Sequence, residues 1–441
     1  MVDVRNYMSR KYVPLSKGIK LSPMESVKAF ARILTMFIGE HSSCKIMEFE
    51  KFLGVKMENI SATEKEYEAY ERQQAIFAIN KFVENECKIV KTVNLDDEDG
   101  SIAPVYEQVR IGRNKYEKLL ISGEIFLTWK KTRIIVYLYF QGSWTRKITL
   151  IHRTKDAKQV NEFSKKFRTF MQKHNLYKGE KLIYLPRNIF DFLEYPELGW
   201  NDVVLKDDVK EEIDLNITFM LDNAVECLHS GIPWRRGLIF GGIAGTGKTQ
   251  VCRILCNKVP EGVTVIWATP KALYEANTIN TLFEAARYFQ PTLLIIEDID
   301  FIGRDRSIDD DDVLGELLTQ LDGNDPNHGL FIVATTNRPE LLDLALANRP
   351  SRFDVKVNFN VPEDEERKKL IKLFTRKMKF ESPLNYSKIS LSMGGLTGAH
   401  IKEIFVYAQL KALKRGMKKI KPEDVSRRAR FYKKNTSKMV V

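Results

Sequence analysis

Residues 237–249 decide the fold of the C-terminal half of the chain: they read GLIFGGIAGTGKT and are followed by QVCRILCNKV. The apolar stretch Gly237–Gly241 is typical of a buried strand, and the residues after Lys248 are typical of a helix. Between them, residues 242–249 match the pattern GxxxxGK[ST], which gains its meaning from a strand–loop–helix context. The sequence therefore predicts a phosphate-binding loop.

Each residue type in this loop has a chemical reason. Glycines allow backbone N–H groups to converge on phosphate oxygens, and the helix N-terminus adds positive potential. Lys248 brings a point charge to the β- and γ-phosphates, and the Thr249 hydroxyl is suited to ligate Mg²⁺. We therefore expect ATP and Mg²⁺ as ligands and ATP hydrolysis as the reaction. The predicted nucleotide-binding residues of this segment are Gly242, Gly245, Thr246, Gly247, Lys248, Thr249 and Gln250.

Two carboxylates follow a second apolar strand, at 293–298, which reads Leu-Leu-Ile-Ile-Glu-Asp. Ligands of parallel sheets bind at the carboxyl ends of the strands, which is where Glu297 and Asp298 would emerge. One carboxylate is expected to hold the water shell of Mg²⁺ and the other to orient or deprotonate the attacking water. Asp300 can support either role.

Around these motifs, apolar strand candidates alternate with helices from Trp200 onward. Such alternation predicts a parallel sheet covered by helices. We expect an α/β P-loop ATPase domain at 191–360 and a small helical lid domain with a basic tail at 361–441. The strands of the sheet are expected at 237–241, 263–268, 292–297, 330–335 and 354–359.

Residues 1–190 show a different pattern and are predicted to form a separate α+β domain that binds a substrate or partner. The segment Phe190–Pro196 is expected to connect it to the ATPase domain. Helices are expected at 24–41, 62–84 and about 156–175, and strands at 104–112, 124–130, 133–140, 146–152 and 181–185.

Composition excludes several classes of protein. A chain of 441 residues, 44% hydrophobic and 29% charged, is expected to fold into two or three domains. The start, MVDVRNYMSRKYVPLSKG, lacks the apolar core of a signal peptide, and no apolar run approaches the roughly 18 residues needed to span a bilayer. The five cysteines and six histidines have neither disulfide nor metal-ligand spacing. We expect a cytoplasmic chain with reduced thiols, no membrane span and no structural metal.

The net charge of +12 is unevenly distributed. Residues 110–187 contain 19 Lys/Arg and 5 Asp/Glu, and residues 402–438 contain 13 and 3, so the rest of the chain is acidic. Basic regions of this kind can attract an anionic polymer such as nucleic acid, or they can be solvated lysine-rich faces. Nucleic acid is therefore a candidate partner, although no recognised nucleic-acid-binding module supports it.

The stretch from about Trp200 to Asp424 resembles the AAA ATPases, the ATPases associated with diverse cellular activities, because its motifs occur in the family's order. After the P-loop and the acids come Leu317–Gly323 and Val333–Pro339. The resemblance identifies Asn337 with the family's sensor asparagine, which can align the attacking water with the γ-phosphate.

The same resemblance implies how the nucleotide is held. The entry Gly199–Val204, with Asp202 and Val203, and the turn Gly231-Ile232-Pro233 resemble the segments that hold adenine in this family. The turn Gly395–His400, with Gly398 and Ala399, resembles the one that opens a lid helix against the nucleotide.

A further segment, Leu342–Asp354, resembles the family's arginine-finger segment, with Arg352 on the finger. A guanidinium delivered to the γ-phosphate of a neighbouring subunit stabilises transition-state charge and is worth roughly 10³–10⁵ in rate in P-loop enzymes. Because the finger serves a neighbour, the resemblance implies a homo-oligomeric ring, by family a hexamer.

Two departures from the family concern the chemistry. The acid pair reads Glu-Asp where most members read Asp-Glu. By register, Asp298 takes the catalytic position and Glu297 the metal position, with the side-chain lengths exchanged, so whether the two acids exchange roles stays open. Val355 stands where many relatives carry a second arginine.

Other departures concern how the energy of ATP hydrolysis would be used on a substrate. The stretch Pro270–Ile279 is shorter than in relatives that thread polypeptide through the ring. Tyr274 is its only aromatic residue, and it is a candidate either for a pore contact or for packing. Arg304–Asp312 is either a second pore loop or a solvated acidic turn. His400 replaces an acid at the start of the lid helix and is expected either to touch the nucleoside or to cap the helix.

Three functions are compatible with these features. The first is a ring motor that couples ATP turnover to remodelling of a protein client, which is unidentified. The second is a nucleic-acid-associated ATPase that uses the basic region 110–187. The third is an assembly or disassembly factor that does not thread its substrate.

Overall fold

The computed structural model describes residues 42–93, 96–97, 100–101, 103–139, 147–273, 278–301, 316–317, 319–321, 328–338 and 353–436. These residues form two compact units. The first comprises the described residues up to Ile111 and from Tyr116 to Asn175, and the second comprises Gly112–Lys115 and the described residues from Leu176 onward. Four predicted features lie outside the described residues, namely the helix at 24–41, Tyr274, the loop 304–312 and Arg352.

The first unit combines a mainly antiparallel sheet with three helices. Its helices are α1 (Ser42–Leu53), α2 (Arg72–Glu86) and α3 (Ala157–Lys173). Its strands are β1 (Ile60–Glu66), β2 (Lys88–Val93), β3 (Asp96–Asp97), β4 (Gly100–Ser101), β5 (Val105–Gly112), β6 (Lys115–Trp129), β7 (Thr132–Tyr139) and β8 (Lys147–Arg153). Neighbours are antiparallel along the order β1-β8-β7-β6-β2, β5 also pairs with β6, and β3 pairs with β4.

Both faces of this sheet are covered because alternate residues of a strand point to opposite faces. Ile134 and Val136 of β7 belong to the core that includes Phe163 and Phe167 of α3. Ile135, between them in sequence, belongs to the second core, with Phe49 of α1. The unit therefore has one apolar core on each side of the sheet.

The helix predicted at 62–84 is wrong in its first part. Residues 60–66 form β1, which pairs with β8 from Ile60 opposite Arg153 to Glu66 opposite Lys147. The charged residues of β1, Glu64, Lys65 and Glu66, are all exposed at the edge of the sheet, and pairing with β8 outweighs their helical preference. The strand predicted at 124–130 is longer than expected and begins at Lys115, and β2 was not predicted.

The second unit contains a seven-stranded sheet. Its strands are β9 (Lys181–Leu185), β10 (Ile189–Phe192), β11 (Arg236–Gly241), β12 (Thr264–Ala268), β13 (Thr292–Ile296), β14 (Leu330–Thr336) and β15 (Val355–Asn358). Its helices of six residues or more are α4 (Asp207–Asp214), α5 (Ala224–His229), α6 (Lys248–Lys258), α7 (Thr278–Tyr288), α8 (Asp364–Thr375), α9 (Tyr386–Ser392), α10 (Gly398–Lys414) and α11 (Pro422–Thr436). A π-helical turn, Leu215–Phe219, and the short helix Met220–Asp222 continue α4.

The strand order is β10-β9-β12-β13-β14-β11-β15, and every pair is parallel except β10 with β9. Every residue of β12, β13 and β14 is buried, as expected for parallel strands covered on both faces. Strand β14 lies between β13 and β11 and is parallel to both, so the carboxyl ends of the three strands lie at the same edge of the sheet. The predicted parallel α/β sheet is therefore present.

The predicted domain boundary at 190 lies too far along the chain. The strand at 181–185 was assigned to the N-terminal domain, but it is β9, which pairs in parallel with β12. The connecting segment includes β10, which pairs with β9 and buries Phe190 and Phe192. The second unit therefore begins near Leu176, because these two strands extend the edge of its sheet.

Helices α8 to α11 surround a core of their own. This core includes Ile371 of α8, Ile389 of α9, Phe405 of α10 and Val425 of α11. The apolar stripe predicted along α10 is buried there: Ile401, Ile404, Phe405, Ala408 and Ala412.

Candidate nucleotide-binding site

The glycine-rich loop joins β11 to α6, and its glycines are required by its geometry. Gly245 and Gly247 have φ angles of +83° and +110°, in the region that favours glycine. A Cβ atom on Gly242 would lie 2.2 Å from the carbonyl oxygen of Phe359, and one on Gly245 would lie 2.8 Å from the Cβ of Ala399. The loop is therefore packed tightly between β15 and the start of α10.

A cavity of about 750 Å³ opens beside this loop. Its wall also includes the segment 202–206 and residues of α8 and α10. Gly242 and Glu297 are not among the residues that line it. The predicted site residues that line it are Asp202, Val203, Gly245, Thr246, Gly247, Lys248, Thr249, Gln250, Asp298, Asn337, Gly398 and Ala399.

Hydrogen bonds fix the segments around the cavity to one another. The side-chain amide of Gln250 donates to the carbonyl of Asp202 at 2.6 Å. The backbone N–H of Ala399 donates to the carbonyl of Gly245 at 3.1 Å. Apolar side chains, including Val203, Leu370 and Phe374, also line the cavity, which suits a planar base.

Lys248 is 5% exposed and has three acceptors. Its Nζ donates to the carbonyls of Gly242 at 2.5 Å and Ile243 at 3.2 Å, and to Oδ1 of Asn337 at 2.9 Å. Burial lowers the pKa of Lys248, and the carboxylates of Asp298 and Asp300 oppose that effect. The ammonium group is thus held at the mouth of the loop.

Asn337 links Lys248 to Asp298. While its Oδ1 accepts from Lys248, its Nδ2 donates to Oδ1 of Asp298 at 2.9 Å. Asp298 has a φ of +47°, which is uncommon for a residue with a side chain and concentrates at functional sites. Burial raises the pKa of Asp298, and the nearby charges of Glu297 and Asp300 add to the rise.

Asp300 does not line the cavity but is hydrogen-bonded to residues at the end of β14. Its Oδ1 accepts from the hydroxyl of Thr336 and from the backbone N–H of Asn337, both at 3.0 Å. The backbone N–H of Asp298 donates to the hydroxyl of Thr335 at 2.9 Å. These three bonds fix the carboxyl ends of β13 and β14 against each other, which places Asp298 next to Asn337.

Glu297 is held by Trp267, a residue that the sequence did not single out. The indole Nε1 of Trp267 donates to Oε2 of Glu297 at 3.0 Å. Trp267 is the penultimate residue of β12 and is 6% exposed. The sequence does place a tryptophan near the end of a predicted strand. However, Trp267 reaches Glu297 only because β12 pairs with β13, which the sequence does not specify.

His400 caps α10. Its Nδ1 faces the backbone N–H of Thr397 at 3.3 Å, and its own N–H donates to the Thr397 hydroxyl at 3.4 Å. This reciprocal pattern is a capping box, and His400 does not line the cavity. Val355, where many relatives carry arginine, begins β15 opposite Leu238 of β11.

The glycine loop at a helix N-terminus, the buried lysine and the acids that follow β13 define a P-loop ATPase. Residues 238–361 match the family described as "ATPase family associated with various cellular activities (AAA)". The chain therefore contains an ATPase domain of the AAA family.

Among known proteins, the chain is similar to ATP-dependent zinc metalloproteases called FtsH. It is 28% identical over 266 residues to FtsH of Acholeplasma laidlawii, covering 55% of this chain and 41% of that protein. It is 30% identical over 237 residues to FtsH 2 of Thermoanaerobacter sp., covering 52% and 46%. It is 30% identical over 251 residues to the chloroplastic FTSH 5 of Arabidopsis thaliana, covering 53% and 35%. The chain thus spans less than half the length of each of these relatives.

No helix in the described part of the chain is long and apolar enough to cross a membrane. The described residues also contain no group of three or more His, Cys, Asp or Glu side chains that could hold a metal ion.

Proposed function

We propose that the chain hydrolyses ATP with Mg²⁺ and, as a homo-oligomeric ring, uses that turnover to remodel a protein client. The observation that supports it best is the hydrogen-bonded series Lys248–Asn337–Asp298 on the wall of the cavity. A cation, an amide and a carboxylate from three different elements converge there. This is the set needed to bind a γ-phosphate and to activate water beside it.

The residues present fit ATP with Mg²⁺. The loop glycines have no side chains of their own to cover the backbone N–H groups of a helix N-terminus, which suits phosphate. Mg²⁺ in phosphate sites uses one or two protein groups together with substrate phosphates and waters, so Thr249 would ligate it and Glu297, which does not line the cavity, would hold its water shell. When bound, Mg²⁺ would neutralise charge on the phosphates.

The roles of the chain's own groups follow from their surroundings. Lys248 stabilises negative charge on the phosphates. Asp298, whose pKa is raised by burial and by neighbouring acids, is suited to accept a proton from the attacking water. Asn337 fixes the position of Asp298 and presents its amide to the same water. Trp267 fixes the carboxylate of Glu297.

The protein client is supported by the names of the relatives. They are called ATP-dependent metalloproteases, so the ATPase region that resembles this chain occurs in proteins that act on other proteins. We assign client recruitment to the N-terminal unit. The ring, hexameric by family resemblance, would be cytoplasmic and would use Arg352 at the site of the neighbouring subunit.

Substitutions in the site test the ATPase proposal. Lys248→Ala should weaken nucleotide binding, because it removes the phosphate-binding charge. Asp298→Asn should keep binding and block hydrolysis. Both are measured by titration with a fluorescent ATP analogue and by phosphate release, and wild-type turnover in Asp298→Asn would contradict the assignment.

The role of Arg352 is tested by mixing subunits. Arg352→Ala should be inactive alone and regain part of its activity when mixed with Lys248→Ala subunits, because each supplies what the other lacks at a shared site. If mixing restores no turnover while co-assembly is verified by native mass spectrometry, the finger does not act in trans.

The client is tested with the hydrolysis-blocked ring. Asp298→Asn loaded with ATP should retain a protein that the Lys248→Ala ring does not. Salt titration of binding to DNA and RNA separates the nucleic-acid alternative, because phosphate contacts give a steep salt slope. A Tyr274→Ala variant separates threading from non-threading remodelling: unchanged client-stimulated turnover would count against threading.

A further inference from the structure

The first unit exposes two tyrosine rings beside two basic side chains on strands β5 and β6. Tyr106 of β5 is 45% exposed and Tyr116 of β6 is 59% exposed. The Arg110 guanidinium lies 6.0 Å from the ring centre of Tyr116, and Nζ of Lys118 lies 5.5 Å from that of Tyr106. Both contacts join β5 to β6, so the four side chains lie on one face of the strands. That face is here called the tyrosine face.

The tyrosine face points away from the core that α2 and α3 cover. Val105, Val109 and Ile111 of β5 pack in or against that core. Because alternate residues of a strand point to opposite faces, Tyr106 and Arg110 point to the other side of the sheet. The core beneath α1 lies on that side, but among the described residues it includes no residue of β5. Neither of these two cores therefore covers the tyrosine face.

Strands β5 and β6 place their acids away from the tyrosine face. They contain three acids. Glu107 alternates with the residues of the tyrosine face and so points to the inner side. Glu117 pairs with Lys81 of α2, which is also on the inner side. Glu124 is 1% exposed and pairs with Lys45 of α1 at 2.9 Å. The two strands thus leave no carboxylate on the tyrosine face to neutralise its two cations.

The tyrosine rings are ordered although they are exposed. A cation beside an aromatic face is attracted by the quadrupole of the ring, so each ring is held by its basic neighbour. Side chains that are already ordered lose less conformational freedom when a ligand binds. The arrangement suits a ligand that combines flat rings with negative charge, because the tyrosines can stack and the cations can pair.

We propose that the tyrosine face binds single-stranded nucleic acid, with bases stacked on Tyr106 and Tyr116 and phosphates held by Arg110 and Lys118. Aromatic stacking platforms on a positively charged surface are the means by which proteins hold single strands without reading their sequence. A duplex keeps its bases stacked on one another and would offer only its phosphates. An acidic peptide would pair with the cations but has no base to stack on the rings.

The charge of the surrounding chain favours the same ligand. Residues 110–187 contain 19 Lys/Arg and 5 Asp/Glu, so a polyanion is attracted to this part of the chain before it makes specific contacts. The inference goes beyond the proposed remodelling of a protein client. It gives the first unit a further binding activity, which needs neither ATP turnover nor the ring.

Binding of a fluorescent oligothymidylate of about 20 nucleotides to the full-length chain tests the proposal by anisotropy. Tyr106→Leu and Tyr116→Leu should each raise Kd by about 5- to 150-fold, which is the range for the loss of one stacked base. Tyr116→Phe should bind as the wild type does, because it keeps the ring that stacks.

An abasic oligonucleotide of the same length separates stacking from charge. The wild type should bind it more weakly than oligothymidylate, and the two leucine variants should bind it as the wild type does, because no base is present to stack. Arg110→Gln and Lys118→Gln should instead weaken the binding of both oligonucleotides. Each should also reduce the slope of log Kd against log salt concentration by about 0.7.

Two substitutions elsewhere in the first unit are matched controls. Lys158→Gln removes an exposed cation from α3, on the opposite side of the sheet, and Val90→Ala shortens an exposed apolar side chain of β2. Both variants should bind both oligonucleotides as the wild type does. Thermal unfolding of every variant verifies that it is folded.

Three results would overturn the proposal. The first is a wild-type chain that does not bind oligothymidylate at low salt. The second is leucine variants that bind it as the wild type does. The third is equally tight binding of polyglutamate or of anionic lipid vesicles, since this would show that the tyrosine face attracts negative charge of any kind.

ATP turnover of the same samples separates this inference from the proposed activity. A wild-type chain that turns over ATP but does not bind the oligonucleotide overturns the inference and leaves the proposed ATPase standing. A chain that binds the oligonucleotide through the two tyrosines but does not turn over ATP supports the inference and contradicts the proposed hydrolysis.

Discussion

The hydrogen bond from Trp267 to Glu297 gives the sharpest test of the proposed site. Trp267→Phe removes the indole N–H, which lies 3.0 Å from Oε2 of Glu297, and keeps an aromatic ring in the buried position. The carboxylate then loses a donor that fixes its orientation. If Glu297 holds the metal ion, its looser position should affect turnover more than ATP binding, because Glu297 does not line the cavity.

The size of the effect follows from the kind of bond. A hydrogen bond to a charged group contributes about 1.5–3 kcal/mol. Expressed entirely in the transition state, this corresponds to a fall in kcat of about 10- to 100-fold, since about 1.4 kcal/mol is tenfold in rate. KM for ATP should change little, and the Mg²⁺ concentration for half-maximal rate should rise.

The matched control is Trp234→Phe. Its indole Nε1 also donates a hydrogen bond, to the backbone carbonyl of Met220 at 2.7 Å, and it does not line the cavity. The assay is phosphate release at saturating ATP across a Mg²⁺ titration, with Tm measured for both variants. If Trp267→Phe keeps the kcat and Mg²⁺ dependence of Trp234→Phe, Trp267 only packs and its positioning role is refuted.

Three other outcomes are expected. Asp298→Asn should raise Tm in the absence of nucleotide, because burial and nearby acids raise the pKa of Asp298 and so make its negative charge unfavourable. An unchanged or lower Tm would contradict this unfavourable charge. Gly242→Ala should abolish ATP-analogue binding, because its Cβ would lie 2.2 Å from a backbone oxygen. In Gly247→Ala the nearest atom to the new Cβ lies at 3.8 Å, so this variant should lose only the about 1–2 kcal/mol that a left-handed conformation costs a residue with a side chain. Equal losses of binding in the two variants would show that steric fit is not decisive. Burial alone would raise the pKa of Asp424, but hydrogen bonds and charges from Lys411 and Arg415 outweigh burial and lower it. Asp424→Asn should therefore reduce Tm at neutral pH, and this reduction should shrink as the pH falls below 3.8. A reduction in Tm that does not depend on pH would contradict this linkage.

The strands of the ATPase sheet were predictable because each is a continuous apolar run bounded by a turn or a helix. Pairing is harder to predict. Residues 62–66 are highly charged and were expected to be helical, yet they pair with β8 at a sheet edge. The strand at 181–185 was located correctly, but sequence order placed it with the wrong unit, because nothing local specifies which sheet a single strand joins.

The site likewise combines residues that motifs predict with contacts that depend on strand pairing. Lys248, Asp298 and Asn337 were predicted from motifs, and the structure brings them within hydrogen-bonding distance of one another. The supporting bonds, from Trp267 to Glu297 and from Thr336 to Asp300, join residues on different strands. Such contacts depend on which strands are neighbours and at what register, so a motif read along the chain does not contain them.

The contact between Gly245 and Ala399 has an evolutionary consequence. A Cβ on Gly245 would meet the Cβ of Ala399 at 2.8 Å and the hydroxyl oxygen of Thr397 at 2.9 Å, so neither side of this contact has room to grow. Homologues of this chain should therefore substitute the two positions together or keep both small. A change that enlarges one alone would push α10 away from the phosphate loop, and selection for nucleotide binding would remove it.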